Sequence, residues 1–161
     1  MIWIPLALYL QKTPDLSKLD HRKVRVTLGT PKCPLANASP LQLTAEVVSV
    51  QSSMEHGLSN RAKRLEKNEA MLFLYDQPKV IQIWMKETLI PLTVAFYGND
   101  SKLLNQFLMP VEKDPNNPTL IYSSKGAARA ALELAPELYP FKTGILCVGT
   151  ESSRRKSSKR N

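Results

Sequence analysis

An all-β sandwich or barrel with small helices is the fold class that this 161-residue sequence predicts. Three observations point there. Short apolar runs recur at spacings of about 8 to 12 residues between turn-forming clusters. Several runs alternate apolar and polar positions, or carry the aromatic and β-branched residues that suit a pleated surface. The composition, 43% hydrophobic and 22% charged with 2 Cys, excludes a collagen, a disulfide scaffold and a wholly disordered chain. The length suits one domain.

Met1-Ile-Trp-Ile-Pro-Leu-Ala-Leu-Tyr-Leu10 is apolar almost throughout. It falls short of the roughly 20 residues that span a bilayer. Its first cation, Lys12, follows the apolar run, whereas a secretory signal places cations ahead of it. The stretch is expected to be a strand pairing with the body of the domain, or an apolar arm docking on a partner. Residues 13–42 carry Pro14, Pro31, Pro34 and Pro40 and read as an irregular connection. One strand, Lys23–Leu28, interrupts it before Gly29.

From residue 43 the pattern becomes regular. Leu43, Ala45 and Val47, then Val48 and Val50 after a change of phase, mark a strand. Gln51-Ser-Ser-Met54 offers a serine N-cap to a short amphipathic helix with Met54 and Leu58 four apart. Arg61, Lys63, Arg64 and Lys67 make the following loop basic. Met71–Tyr75 is a short apolar run, the signature of a buried strand, closed by the turn signal Asp76-Gln77-Pro78. Val80, Gln82 and Trp84 alternate with Ile81, Ile83 and Met85; with both faces largely apolar, this strand is expected in the interior of a sandwich. Leu92–Tyr97 and Leu103–Met109 flank the turn cluster Gly98–Ser101 and read as a hairpin.

The net charge of +8 is unevenly placed. Residues 1–42 hold 6 Lys/Arg against 2 Asp/Glu, residues 43–150 hold 11 against 11, and residues 151–161 hold 5 against 1. The expected organisation is therefore an N-terminal extension (1–42), a neutral β domain (43–150) and a basic tail (151–161). The tail contains no apolar residue and is expected to be disordered when free. Arg154, Arg155, Lys156, Lys159 and Arg160 are candidate contacts to nucleic acid or an acidic partner, and its serines could accept phosphate. No aromatic is interleaved with these cations, so any nucleic-acid contact would be to the backbone. The alternative is a solubilising tail.

Cys33 and Cys147 lie in no metal-binding or redox motif. Without an export signal, free thiols are the ordinary state, and a disulfide between the flanking segments is the alternative. His21 and His56 stand in no metalloprotease or nucleophile-elbow motif, and His56 reads as an exposed helix residue. No metal or cofactor is expected.

Glu69-Ala-Met-Leu-Phe73, followed by Ile83-Trp-Met-Lys-Glu-Thr-Leu-Ile-Pro-Leu92, resembles the signature of the domain of unknown function 192 family, E-G-M-L-F and then F-W-M-K-N-T-L-I-P-L-D. Glu46, Gly57-Leu58, Arg129 and Leu132-Glu133-Leu134 extend the resemblance over about residues 43–146. Ala70, Glu87 and Thr93 replace the family's Gly, Asn and Asp. The resemblance implies a jelly-roll-like sandwich with one or two short helices and brings no biochemical role. Many bacterial relatives look exported, whereas this chain is expected in the cytoplasm or an intracellular assembly. Ala127–Leu134 has helical propensity, but the family pattern and its alternation make its second half a strand. Ala135–Tyr139 is then one helical turn and Gly144–Val148 a closing strand.

Trp84 and Met85 point to opposite faces of a strand. Lys86, Glu87 and Thr88, with an indole nearby and Glu133 from a later strand, form a candidate pocket for an anionic or sugar-like ligand: the cation attracts, hydroxyl and carboxylate orient, and the ring stacks. The competing reading is structural, with Trp84 in the core and Lys86 bridged to Glu133. Arg129 and Glu133, four apart on the far side from Leu132 and Leu134, read as an outward-facing surface pair. Three functions follow. The leading one is a non-catalytic binding or assembly module, attached to a larger, negatively charged complex by its basic ends. The others are a small hydrolase or carbohydrate- or anion-binding enzyme built on Trp84–Pro91, and a nucleic-acid-associated protein acting through its tail.

Overall fold

The computed structural model describes residues 1–13, 15–30, 32–34, 41–141 and 144–150. Among them the chain runs β1 (Ile2–Pro5), α1 (Leu6–Gln11), a 3-10 turn (Leu16–Leu19), β2 (Lys23–Thr30), β3 (Gln42–Val48), α2 (Gln51–His56) and β4 (Glu69–Lys79). It continues through β5 (Gln82–Trp84), β6 (Leu92–Gly98), β7 (Leu103–Met109), β8 (Ile121–Ser123), β9 (Ala128–Leu134), a second 3-10 turn (Pro136–Leu138) and β10 (Ile145–Thr150). The fold is mainly β with short helices, as expected. Eight strands form one curled sheet in the order β1-β10-β2-β3-β4-β9-β6-β7, and β5 pairs with β8 in a separate two-stranded sheet. The β3–β4 pair is parallel, with α2 in the crossover between its strands.

The sheet is covered on both faces. One face, carrying Val26, Leu43, Leu72, Leu132 and Tyr97, packs against Leu6 and Leu10 of α1 and against Leu16 and Leu19. The other, carrying Met71, Phe73, Val94, Phe96 and Ala131, packs beneath Leu58, Ile81, Ile83, Met85, Ile90 and Tyr122. The apolar N-terminus is therefore both a strand, pairing with β10, and a helix that caps one core. Strand β9 lies between β4 and β6, and Ala128, Ala130, Ala131, Leu132 and Leu134 are fully buried. Small side chains let both layers close down on a central strand, and this packing overrides the helical propensity of alanine.

Four expectations are corrected. Cys33 and Cys147 are joined in a disulfide; β10 brings their Cα atoms to 5.6 Å, within bridging range, across 114 positions of sequence. Asp76-Gln77-Pro78 does not end its strand: β4 runs on to Lys79, and a register shift after Leu74 absorbs the turn-forming residues. Residues 80–86 are not an interior strand; β5 is short, with Val80 and Trp84 more than half exposed while Ile81 and Met85 are buried. Finally, α2 has no serine N-cap, its N-cap position being Val50. Asp20, from outside the helix, accepts instead from the Ser49 amide at 2.7 Å, just ahead of that position, and from the Ser53 hydroxyl at 2.6 Å, which ties the start of α2 to the preceding loop. The tail, with Arg154, Arg155, Lys156, Lys159 and Arg160, lies outside the described residues. Among those described, no helix is long and apolar enough to cross a membrane.

Candidate functional site

A turn follows β5 directly and presents the signature residues. Its shape comes from backbone bonds. The Thr88 amide donates to the Met85 carbonyl at 3.1 Å, and the Glu87 amide donates to the Pro115 carbonyl at 2.7 Å. The Asn60 amide, at the end of the loop after α2, donates to the Glu87 carbonyl at 2.7 Å. The Lys86 carbonyl accepts from the hydroxyls of Ser59 and Thr88 at 3.3 and 3.2 Å. Held in this way, Glu87 adopts φ +53, a left-handed conformation that Asn tolerates well. The family's Asn thus has a backbone reason, and the Glu here keeps the same turn at some conformational cost.

Opposite the turn, α2 ends at Gly57 with φ +46. A Cβ there would meet the Phe73 ring at 3.4 Å, so glycine serves both the helix end and a close approach to β4. Between this helix end and the turn lies a groove of about 410 Å³. Trp84, Lys86, Glu87, Thr88 and Glu133, all five candidates read from the sequence, line it together with Tyr75, Lys79, His56 and Gly57. Trp84 is 56% exposed on the rim while Met85 packs inward, which excludes Trp84 from the core.

Glu133 forms the buried end of this set. Its register partners are Met71 on β4 and Val94 on β6, so it projects into the apolar layer beneath β5 and β8. It is 5% exposed, and its Oε2 has no hydrogen-bond partner. Burial pushes its carboxyl up to about 8. At neutral pH it is therefore mostly a neutral acid able to donate a hydrogen bond. Tyr75 is raised to about 12, first by its own burial and then by the charge Glu133 would carry. The Lys79 ammonium sits 4.6 Å from the centre of the Tyr75 ring.

Two expectations about these side chains are corrected. Arg129 and Glu133 are not a surface pair: Glu133 is buried, and Arg129 Nε donates to the Tyr75 carbonyl at 2.9 Å. The expected Lys86–Glu133 ion pair is also absent among the described residues. Lys86 is exposed on the turn and Glu133 lies within the layer below. Thr93, where the family has Asp, pairs with Leu134, next to the Glu133–Val94 register pair. Adjacent strand positions face opposite ways, so Thr93 points away from the groove. Sequence reading missed Tyr75 and Lys79 as site residues, because they flank the Asp76-Gln77-Pro78 segment taken for a turn and β4 in fact runs through it. Their two-residue spacing from Phe73 and Gln77, which puts all four on one face of an uninterrupted strand, was the available signal.

Among the described residues no cluster of three or more His, Cys, Asp or Glu could hold a metal ion. The chain resembles two solved structures. One is a candidate transcription regulator from Sinorhizobium meliloti 1021, with 26% identity, TM-score 0.58 and coverage of 72% of this chain and 82% of that one. The other is a protein of unknown function from Novosphingobium aromaticivorans DSM 12444, with 25% identity, TM-score 0.58 and coverage of 77% and 82%. No curated protein matches the sequence. Residues 35–142 match the family described as uncharacterized ACR, DUF192. With its signature turn, the strand carrying Glu133 and most of its length accounted for by that match, this chain belongs to the DUF192 family.

Proposed function

We propose that this chain is a non-catalytic binding domain that takes a neutral, hydroxylated small ligand, a sugar, in the groove between α2 and the Trp84–Thr88 turn. The observation that carries the reading is Glu133: a buried carboxyl with an unpartnered oxygen, in a groove rimmed by an exposed indole. A neutral carboxyl donates to a ligand hydroxyl, and the face of Trp84 offers a platform for the C–H side of a sugar ring. The charge of the lining favours a neutral ligand over an anion, since with Glu133 protonated the carboxylates of Glu55 and Glu87 balance Lys79 and Lys86.

The test is a titration of the full chain with neutral monosaccharides and their phosphate esters, followed by indole fluorescence and by the amide resonances of residues 84–88. Trp3 is buried, so Trp84 reports the groove. Neutral sugars should shift both signals, and Trp84→Ala and Glu133→Leu should weaken the resonance shifts. A response to the phosphate esters alone would replace this reading with anion binding, and silence to both would remove it.

In the same proposal the basic segment 151–161 attaches the domain to a negatively charged assembly. Its support is compositional, five cations against one acid with no aromatic. Deletion of 151–161 should abolish co-purification of that assembly from the native source. Capture of nucleic acid alone, lost at high salt, would favour the nucleic-acid reading instead.

A further inference from the structure

The groove over Glu133 does not end at α2. A second depression of about 320 Å³ shares Gln51, Met54, Tyr75 and Lys79 with it. A third, of about 670 Å³, shares Ser49, Gln51, Asp76 and Gln77 with the second. The three adjoin one another through these shared lining residues, along α2 and the outer half of β4, and are taken together as a trough. It runs from Trp84 and Glu133 to Arg129 and Asp15. The trough exists because β3 ends at Val48, opposite Phe73, while β4 continues to Lys79 with no strand among the described residues beside it on that side.

We infer that the trough binds an extended chain of sugar units, with one terminal or internal unit seated at Trp84 and Glu133 and the next units laid along α2 toward Arg129. The inference rests on the sugar reading of the Glu133 groove and adds the polymeric nature of the ligand. The middle and far parts are lined by Ser17, Ser49, Gln51, Asp76, Gln77 and Arg129. These hydroxyl, amide, carboxylate and guanidinium groups supply the mixed donors and acceptors that successive sugar hydroxyls need. A peptide would fit less well. Strand addition along β4 would require a regular ladder, and this stretch carries Pro78, which has no N–H, and is already irregular in its pairing with β9 between Leu74 and Lys79.

The experiment uses the full chain and three series of neutral oligosaccharides, from glucans, xylans and chitin, each from monosaccharide to hexasaccharide, read by calorimetry and by Trp84 fluorescence. In the series that binds, affinity should rise about tenfold or more with length before levelling off. Joint replacement Asp76→Ala and Gln77→Ala, neither of which lines the Glu133 groove, should remove most of that gain while leaving the monosaccharide affinity unchanged. Equal affinity of monosaccharide and hexasaccharide would overturn the extended site and leave the Glu133 reading standing. Failure of every saccharide would remove both. A random heptapeptide selected on the protein, binding in a Gln77-dependent way where no saccharide does, would assign the trough to peptide and overturn the inference.

Discussion

Replacing Glu133 by Gln keeps the side chain's shape and hydrogen-bonding capacity but removes its ability to ionise. In the folded chain burial holds this carboxyl up to about 8, against 4.5 for the ordinary group. The folded state therefore binds its proton more tightly than the unfolded state does. Below about pH 4.5 the residue is neutral in both states and contributes no pH dependence. Between 4.5 and 8 the unfolded chain releases the proton while the folded chain retains it, so stability falls as pH rises. The fall approaches about 1.4 kcal/mol per pH unit and totals on the order of 5 kcal/mol above pH 8. That is a large fraction of the roughly 5–15 kcal/mol by which domains are stable. Urea unfolding of the wild type and Glu133→Gln should give similar midpoints near pH 4. With m near 2 kcal/mol/M, the variant's midpoint should stand about 2 M higher above pH 8. Parallel midpoints across this range would refute the argument. A wild-type curve that rises with pH relative to the variant would show Glu133 paired with a cation in solution.

Two further outcomes follow from other parts of the fold. The Cys33–Cys147 bond closes a loop spanning 114 positions. On the chain-entropy account its removal by Cys33→Ser should cost about 4–5 kcal/mol in thermal or denaturant unfolding. Detection of two alkylatable thiols in unreduced, denatured protein would contradict the bond itself. At the turn, Glu87→Asn should retain the left-handed backbone with less strain and gain about 1 kcal/mol, raising Tm by about 2–4 °C. A lower Tm for this variant would mean that the Glu87 side chain contributes more to the groove than its backbone costs.

Much of the candidate site was legible in single residues and their spacing. The parity of Trp84, Met85 and Lys86 fixed which side chains share a face, and the structure keeps it, with Met85 inside and its two neighbours outside. The same parity placed Glu133 on the face opposite Leu132 and Leu134. What parity could not tell was that this second face is also covered, by Ile81, Ile83 and Tyr122 of the β5–β8 layer. An apparent surface carboxylate thereby became a buried acid. Asp76-Gln77-Pro78 misled for a related reason: turn propensity is local, whereas the extension of β4 depends on its pairing with β9.

Sequence alone determined the β class, the order of most strands, the turn that carries Lys86, Glu87 and Thr88, and family membership, because each rests on near neighbours or on a contiguous motif. Tertiary structure alone decided that Cys33 reaches Cys147, that Asp20 bonds Ser49 and Ser53 at the start of α2, that Glu133 lies buried with an unpartnered oxygen, and that three depressions adjoin along one helix. Each of these brings together residues distant in the chain. Such contacts are set by which strands pair and which faces are covered, and neither is encoded in a local period.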